Sequence, residues 1–391
     1  MRTMITTDCH VSPPFSLFDE LPASYHQWFP RVEKHEDGDY LVQERSGPMT
    51  MGGVQGERAL ATKLEGRDLM WAAVGATQES HPSFEPAEVL ADLERDGVRG
   101  AVLISRSLSW DKARPLEADV AYCQLVNDWS AERWGPYLDR VAPGIVLPLR
   151  DIPAAVRELE RCAAKGLRPA LLPDGMEDPA FTSPAWEPMW EALSGLKVAA
   201  TLHVGTRQSV PGASAQAMKM QPYPGLPMVG WYAQCSQMGE TLGQLTFSGA
   251  FERHPDLHVV MTEGYAGWLA FAMQFWDHHF ESRFRWEHPV NSGPLAVQLE
   301  APPSYYLKRQ AHATFMWDPL AIEVRDLTGT DCLLWGNDYP HPEGSFPHSQ
   351  EWNDKQFAGV PEAEIDAIVR GNAAKLFDIR VAQQVNVALR S

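Results

Sequence analysis

Eight short apolar segments that alternate with helical patterns constrain the fold of this 391-residue chain more than any other feature of its sequence. Short continuous apolar runs are typical of parallel strands that are buried on both faces. The eight predicted strands are Met4–Thr7, Gly100–Ile104, Val141–Val146, Pro169–Leu172, Val198–Leu202, His258–Met261, His312–Met316 and Cys332–Trp335.

Helical patterns occupy the segments between the predicted strands. Ile152–Lys165, for example, places Ala155, Val156, Leu159 and Cys162 on one face. The other predicted helices are Pro86–Asp96, Leu116–Trp134, Trp186–Leu193, Thr241–Arg253, Gly264–Phe284 and a closing helix that begins after Pro361 and ends near Phe377. Eight alternations of strand and helix without a Gly/Ser linker predict one α/β domain over residues 1–391, folded as a (β/α)₈ TIM barrel.

Two segments, about residues 13–80 and 205–240, are longer than ordinary connections. The first is rich in Pro, Gly and polar residues, and the second in Met, Pro, Gly and aromatic residues. Each follows the C-terminal end of a predicted strand, and the active sites of such barrels lie at that face. We therefore expect both segments to be long inserted loops that form walls or lids at the C-terminal face.

The charge and the cysteine content exclude several classes of protein. The formal net charge is -18 at pH 7, and a surface this acidic repels a phosphate backbone, so we expect no nucleic-acid partner. The N-terminus lacks the ~7–15-residue apolar run of a secretory signal, and no run of about 18 apolar residues predicts a membrane span. The five cysteines are widely spaced without a Cys-x-x-Cys motif, which argues against a disulfide framework and favours a cytoplasmic protein.

Side chains of metal-ligand type end four of the predicted strands. Asp8 and His10 follow the first strand, and alternation along a strand places both on the same side. His203 ends the fifth strand, Glu263 the sixth, and Asp338 follows the eighth. Since the carboxyl ends of barrel strands meet at one face, these side chains are expected to lie together. Imidazole and carboxylate groups suit Zn²⁺, Mn²⁺ or Fe²⁺, so the sequence predicts a divalent metal site.

The segment after the eighth strand, Trp335–Gly344, carries a further histidine. His341 lies between two prolines, which limit the freedom of the backbone that follows Asp338. A metal with an open position lowers the pKa of its bound water to about 7, so Asp338 is a candidate general base for that water. We include His341 and Glu263 with Asp338 as candidate catalytic residues.

The chain resembles the amidohydrolase superfamily, most closely the branch of aminocarboxymuconate-semialdehyde decarboxylase and related proteins. The matching pieces are Asp8-Cys9-His10, His203, Asn337–Gly344 and the closing segment Asn372–Phe377, within a resemblance that runs from about Ile5 to Phe377. The resemblance implies a (β/α)₈ barrel with one or two divalent metals. The implied metal ligands are Asp8, His10, His203 and Asp338, with Asp338 also serving as the base.

Two positions depart from the family pattern. The decarboxylases usually carry a catalytic histidine after the sixth strand, where this chain has Glu263. A carboxylate cannot act as an imidazolium, although it can bind or bridge a metal or act as an acid–base group. The fourth strand supplies only Pro169–Pro173, without the lysine that bridges two metals in other members. We therefore expect one ion and leave a second open, with Glu263, His341 or His312 as its ligands. Of these, His312 is discounted because it starts the seventh predicted strand, at the end away from the active face.

Three functions remain open from the sequence. We favour hydrolysis of a carboxylic-acid derivative (an amide, ester or thioester) by metal-bound hydroxide, because Glu263 makes the site rich in carboxylates. The alternative is nonoxidative decarboxylation of an aromatic or unsaturated acid, in which Arg106 and Arg207 would orient the substrate carboxylate or, equally, form structural ion pairs. The third is a noncatalytic binding protein on the same scaffold, which would be expected to have lost ligands.

Residues 218–238 bear on the size of the substrate. They are rich in Met and aromatic residues, among them Trp231 and Tyr232, and such side chains form adaptable apolar walls. The segment either lines a roomy pocket for a bulky apolar group, such as an acyl-coenzyme A or a natural-product intermediate, or packs on the barrel as a loop. The resemblance also implies a homodimer.

Overall fold

The computed structural model describes residues 2–43, 60–64, 85–105, 114–176, 178–206, 226–283 and 299–381. Within them, most strands lie close to the apolar runs of the sequence. The strands are β1 (Met4–Val11), β2 (Arg31–His35), β3 (Gly38–Gln43), β4 (Leu60–Leu64), β5 (Val98–Ser105), β6 (Val141–Pro143), β7 (Ile145–Val146), β8 (Ala170–Pro173), β9 (Ala200–His203), β10 (Val259–Thr262), β11 (Ala311–Phe315) and β12 (Leu333–Trp335).

Helices separate the strands of the barrel. They are α1 (Pro86–Arg95), α2 (Leu116–Trp134), α3 (Ile152–Ala163), α4 (Glu187–Leu196), α5 (Leu226–Phe247), α6 (Ala250–Arg253), α7 (Gly267–Arg283), α8 (Pro303–Gln310), α9 (Pro319–Glu323), α10 (Arg325–Thr328), α11 (Ser349–Gln356), α12 (Glu362–Asp366) and α13 (Asn372–Phe377). Short 3₁₀ helices cover Phe15–Glu20, Ala23–Trp28, Gly135–Tyr137, Pro184–Trp186 and Thr330–Cys332, and a π-helical turn covers Ala367–Gly371.

The barrel strands pair in parallel in two runs. β1 pairs with β5 and β5 with β6, while β7 to β12 form a second run in chain order. β6 and β7 are two halves of one strand, interrupted at Gly144, where a Cβ would lie 2.7 Å from a leucine side chain of β8. The segment that follows β12 meets the first strand through an isolated parallel bridge between Cys9 and Tyr339. The predicted (β/α)₈ barrel is therefore confirmed.

Helix α3 illustrates how the sequence specifies the outer layer. The side chain of Asp151 caps the helix by accepting a hydrogen bond from the backbone N–H of Ala154 at 3.0 Å. Ala155, Leu159 and Cys162 recur at helical spacing and are all buried against the barrel. The predicted amphipathic face is thus the face that packs on the strands.

The insertion after β1 contains more regular structure than its sequence predicted. β2, β3 and β4 form a small antiparallel sheet after two 3₁₀ helices. The ring of Phe29 stacks on Tyr122 of α2 with 5.1 Å between centroids, and the Arg114 guanidinium lies over Phe29 at 4.3 Å. The expectation of a long loop was therefore incomplete, because aromatic packing rather than a hydrophobic period organises the described part of this segment.

Two further sequence expectations concern the chain as a whole. Among the described helices, none is both long and apolar enough to cross a bilayer. Cys9, Cys123, Cys162 and Cys332 are buried free thiols. They pack as small apolar side chains in the core.

Candidate metal centre

Five ionisable side chains from four strand ends meet at the C-terminal face of the barrel. Asp8 and His10 project from β1, and His203 is the last residue of β9. Thr262 of β10 pairs with His203, so that Glu263 follows immediately beyond the pair. Asp338 follows β12 by three residues. Asp8 and Asp338 are almost fully buried, which separates both carboxylates from bulk water.

The Nε2 atom of His10 lies at the centre of this cluster. It is 3.2 Å from Oδ1 of Asp8, 3.0 Å from Oδ1 of Asp338 and 3.2 Å from Nε2 of His203. A single N–H group cannot donate to all three atoms. The other oxygen of Asp8, Oδ2, is buried and has no hydrogen-bond donor among the described residues. Converging lone pairs of nitrogen and oxygen fit a divalent cation, which is the group that the donor set is suited to hold.

The second nitrogen of His203 fixes the orientation of its ring. Nδ1 donates to the backbone carbonyl of Val204 at 2.9 Å, which directs Nε2 at the cluster. Thr206 donates its hydroxyl to the carbonyl of His203 at 2.6 Å, and Asp174 accepts from the backbone N–H of Gly205 at 3.1 Å. The sequence analysis missed Asp174, although its position directly after β8 was a usable signal.

Mutual charge shifts the titration of the cluster. Burial opposes ionisation of Asp8, but the charge of His203 and contacts with both imidazoles hold the pKa of Asp8 well below its usual range. Burial likewise opposes protonation of His203, but the charge of Asp8 outweighs it and raises the pKa of His203 to about 10. Burial and the neighbouring charge of Asp338 raise the pKa of Glu263 well above its usual value. Without a cation, the cluster therefore holds protons in its place.

Two of these carboxylates sit on strained backbone. Glu263 has φ 58° and Asp338 has φ 54°, both in the left-handed region that favours glycine. Such a conformation costs about 1–3 kcal/mol at a residue with a side chain and is concentrated at functional sites. The surrounding structure must therefore hold both residues in place.

His341 lies beside the same cluster, whereas His312 does not. The rings of His341 and His10 are 4.1 Å apart in a T-shaped arrangement, and ligand atoms of His10, Asp338 and His341 lie within 4.8 Å of one another. His312 is near the start of β11, at the opposite end of the barrel, where it contacts His258. It cannot contribute a ligand to a second ion at the cluster.

The predicted substrate-binding residues lie largely outside the described structure. Arg106 and Arg207 lie outside the described residues. Trp231 lies in α5, but its side chain is outside the description. Tyr232 is 75% exposed on the same helix. Their role in substrate binding stays a prediction.

Gly336 allows the last strand to approach the first. A Cβ at this position would lie 2.8 Å from the Cβ of Asp8 and 3.0 Å from a side-chain carbon of Thr314. Real Cβ atoms do not tolerate such distances without backbone movement. The sequence analysis did not single out Gly336, although it directly precedes the Asn337-Asp338 pair.

A sequence profile of the family described as Amidohydrolase matches residues 8–379. The chain belongs to the amidohydrolase family. The match extends from the first residue of the cluster, Asp8, to just beyond the end of α13. The resemblance inferred from the sequence is confirmed.

Several amidohydrolase relatives are decarboxylases by name. Gamma-resorcylate decarboxylase from Rhodococcus jostii is 26% identical over 285 residues, which cover 67% of this chain and 78% of the relative. Dihydroxybenzoic acid decarboxylase from Polaromonas sp. JS666, crystallised with manganese and the inhibitor 2-nitroresorcinol, superposes with a TM-score of 0.66 at 18% identity, covering 98% of each chain. For 5-carboxyvanillate decarboxylase from Sphingomonas paucimobilis, the TM-score is 0.65 at 18% identity, with 96% and 99% covered.

The prediction that the protein is a hydrolase is wrong. The relatives are named for loss of a carboxyl group, which supports the decarboxylase alternative and gives no support to a thioesterase. The sequence argument failed because it treated Glu263 as evidence for metal-hydroxide chemistry. A carboxylate-rich cluster holds a cation equally well for either reaction, so its charge does not discriminate between them.

Proposed function

We propose that this amidohydrolase is a metal-dependent nonoxidative decarboxylase of a small aromatic acid. The observation that carries the proposal is the convergence of Asp8, His203 and Asp338 on Nε2 of His10. The gamma-resorcylate, dihydroxybenzoic acid and 5-carboxyvanillate decarboxylases among the relatives support the reaction and the substrate class.

Asp8, His10, His203 and Asp338 would hold one divalent cation, for which we propose Mn²⁺. The choice of metal is supported by the manganese bound in the Polaromonas decarboxylase. The bound ion would supply positive charge that attracts an acidic substrate and stabilises negative charge as it develops on the substrate oxygens. The Nδ1 donation from His203 to Val204 keeps the ligand nitrogen of that ring oriented before any ion binds.

Glu263 is our candidate for the proton donor. In the reaction, the bond between the ring and the carboxyl carbon breaks, its electron pair stays on the ring carbon, and a proton replaces the departing carbon dioxide. Glu263 lies 3.7 Å from His203, farther out than the two carboxylates that contact His10, and is 90% buried. Burial and the charge of Asp338 raise its pKa, which favours the protonated acid needed for this step.

His341 is our candidate for orienting the substrate. Its imidazole is part of the same cluster as His10 and Asp338 and is only half-buried, so it is accessible from the mouth of the barrel. A hydrogen bond from this ring to a carboxylate or phenolic oxygen would hold the acid against the ion site. Arg106 and Arg207 remain further candidates for this contact.

The proposal is tested by incubating the protein, reconstituted with Mn²⁺, with 2,6-dihydroxybenzoate and 5-carboxyvanillate. We expect carbon dioxide release and, in heavy water, one deuterium at the vacated ring carbon. Glu263→Gln should slow turnover by on the order of 10²–10⁴-fold, the usual contribution of an acid–base group. Glu158→Gln, which changes a buried carboxyl on α3, is the matched control. No carbon dioxide from a panel of hydroxybenzoic acids, with Mn²⁺ bound, would contradict the proposal.

A further inference from the structure

The backbone that carries Asp338 is fastened on both sides to the end of helix α1. On one side, the side-chain amide of Asn337 donates from Nδ2 to Oδ2 of Asp96 at 3.3 Å. On the other, the hydroxyl of Tyr339 donates to Oδ2 of Asp92 at 2.8 Å. All four of these contacting residues are nearly or fully buried, so water does not compete for the bonds.

Asp96 also ties this segment to helix α11. Its Oδ1 accepts from the backbone N–H of Ser349 at 2.9 Å, and its Oδ2 accepts from the Ser349 hydroxyl. The backbone carbonyl of Asn337 accepts from the backbone N–H of Ser345 at 3.0 Å. One carboxylate thus joins three pieces of chain that are distant in sequence: the end of α1, the residue before Asp338 and the start of α11.

The first strand completes the attachment. The backbone N–H of Asn337 donates to the hydroxyl of Thr6 at 2.9 Å, and the N–H of His10 donates to the carbonyl of Tyr339 at 2.6 Å. Both neighbours of Asp338 are therefore fixed, while Asp338 itself adopts φ 54°. A residue in this conformation would relax toward a right-handed or extended one if its neighbours could rotate.

We propose that Asp92 and Asp96 are positioning residues that hold Asp338 in its left-handed conformation, with its carboxylate directed at His10. Asp96 contacts Asn337 and Asp92 contacts Tyr339, so each would act through a chain neighbour of Asp338. The inference rests on the proposed role of Asp338 as a metal ligand. It adds helix α1, which supplies no side chain to the cluster, to the elements that determine metal affinity.

Two substitutions remove the bonds with little change in volume. Tyr339→Phe removes the hydroxyl that donates a hydrogen bond to Asp92 and keeps the ring that packs against Phe346. Asp96→Asn replaces one of two acceptor oxygens by an amide, so the bonds from Asn337 and Ser349 cannot all persist.

Each substitution has a matched control on the outer helices. Tyr306→Phe removes a buried hydroxyl that donates to Glu252, and Glu158→Gln changes a buried carboxylate that accepts from Asn127. Both control sites lie away from the segment that carries Asp338. The controls report what loss of a buried hydrogen bond does to the fold alone.

The experiment measures the dissociation constant of Mn²⁺ from the metal-free proteins by calorimetry, together with their thermal unfolding. We expect Tyr339→Phe and Asp96→Asn to weaken Mn²⁺ binding by about 10–100-fold, the usual effect of removing a partner that orients a ligand. The two controls should lower the unfolding temperature to a similar degree and leave the dissociation constant within about twofold of the parent value.

Native affinity for Mn²⁺ in Tyr339→Phe would overturn the proposal, as would equal weakening in the controls. If Asp96→Asn does not fold, the Tyr339 variant and its control still decide the outcome. Since no substrate enters this measurement, a failure of decarboxylation leaves it unaffected. A parent protein without measurable Mn²⁺ affinity would instead contradict the proposed function.

Discussion

Two pairs of histidines, one at each end of the barrel, make the same contact in opposite electrostatic settings. At the C-terminal face, Nε2 of His10 lies 3.2 Å from Nε2 of His203. At the other end, Nδ1 of His258 lies 3.1 Å from Nε2 of His312. The distances are alike, so the contact between imidazoles does not by itself define a metal site.

The difference lies in the groups around each pair. His312 donates from Nδ1 to the backbone carbonyl of Asp331 at 3.1 Å, so its Nε2 is free to accept a hydrogen bond from Nδ1 of His258. The N–H of each of these two rings therefore has an acceptor. Burial lowers the pKa of His312 to about 3. At the other end, Asp8 outweighs burial and raises the pKa of His203 to about 10. Carboxylates at the carboxyl ends of the strands, rather than the histidines, distinguish the candidate metal centre.

The largest effect that separates the two pairs is expected on metal affinity. His203→Ala should weaken Mn²⁺ binding by more than about 100-fold, since removal of even an outer partner of a ligand costs 10–100-fold. His312→Ala, the matched control, should retain the parent dissociation constant. Calorimetric titration of the metal-free proteins measures both. Equal loss in the two variants would mean that the comparison between the pairs is mistaken.

The second effect is on the pH dependence of stability. The folded pKa of His312, about 3, lies below its ordinary value of 6.5, so only the unfolded chain takes up this proton between those values. The corresponding stability is complete above pH 6.5 and is lost as the pH falls toward 3. Between pH 7 and pH 5, the free energy of unfolding measured in urea should therefore fall by about 2 kcal/mol more in the parent than in His312→Gln. The same pH dependence of the free energy of unfolding in both proteins would contradict the lowered pKa of His312.

The smallest effect is a proton released on metal binding. With its pKa raised to about 10, His203 is protonated at pH 7 in the metal-free protein, and a bound cation must displace that proton. Calorimetry at pH 7 in buffers of different ionisation enthalpy should show release of about one proton per ion. A heat that does not depend on the buffer would show that His203 is already neutral.

The barrel could be predicted from the sequence because each of its strands is a local apolar run. The proximity of the strand-end residues Asp8, His10, His203, Glu263 and Asp338 could be predicted for the same reason, since parallel strands bring their carboxyl ends to one face. The small sheet in the first insertion was missed, because its strands form without a strong hydrophobic period.

Contacts between distant segments could not be predicted. Asp96 and Asn337 are 241 residues apart, and the residues around either one do not predict their hydrogen bond. The left-handed conformations of Glu263 and Asp338 are likewise imposed by surrounding structure rather than by residue type. The reaction was misassigned since one donor set serves several chemistries, so residue types at the cluster do not identify the bond that breaks.

A crystal structure of the Mn²⁺-loaded protein, with anomalous data collected at the manganese edge, tests the central claim most directly. The account predicts one peak within bonding distance of Nε2 of His10, Nε2 of His203 and the carboxylates of Asp8 and Asp338. Absence of a peak between these four residues, or a peak between His258 and His312 instead, would contradict it.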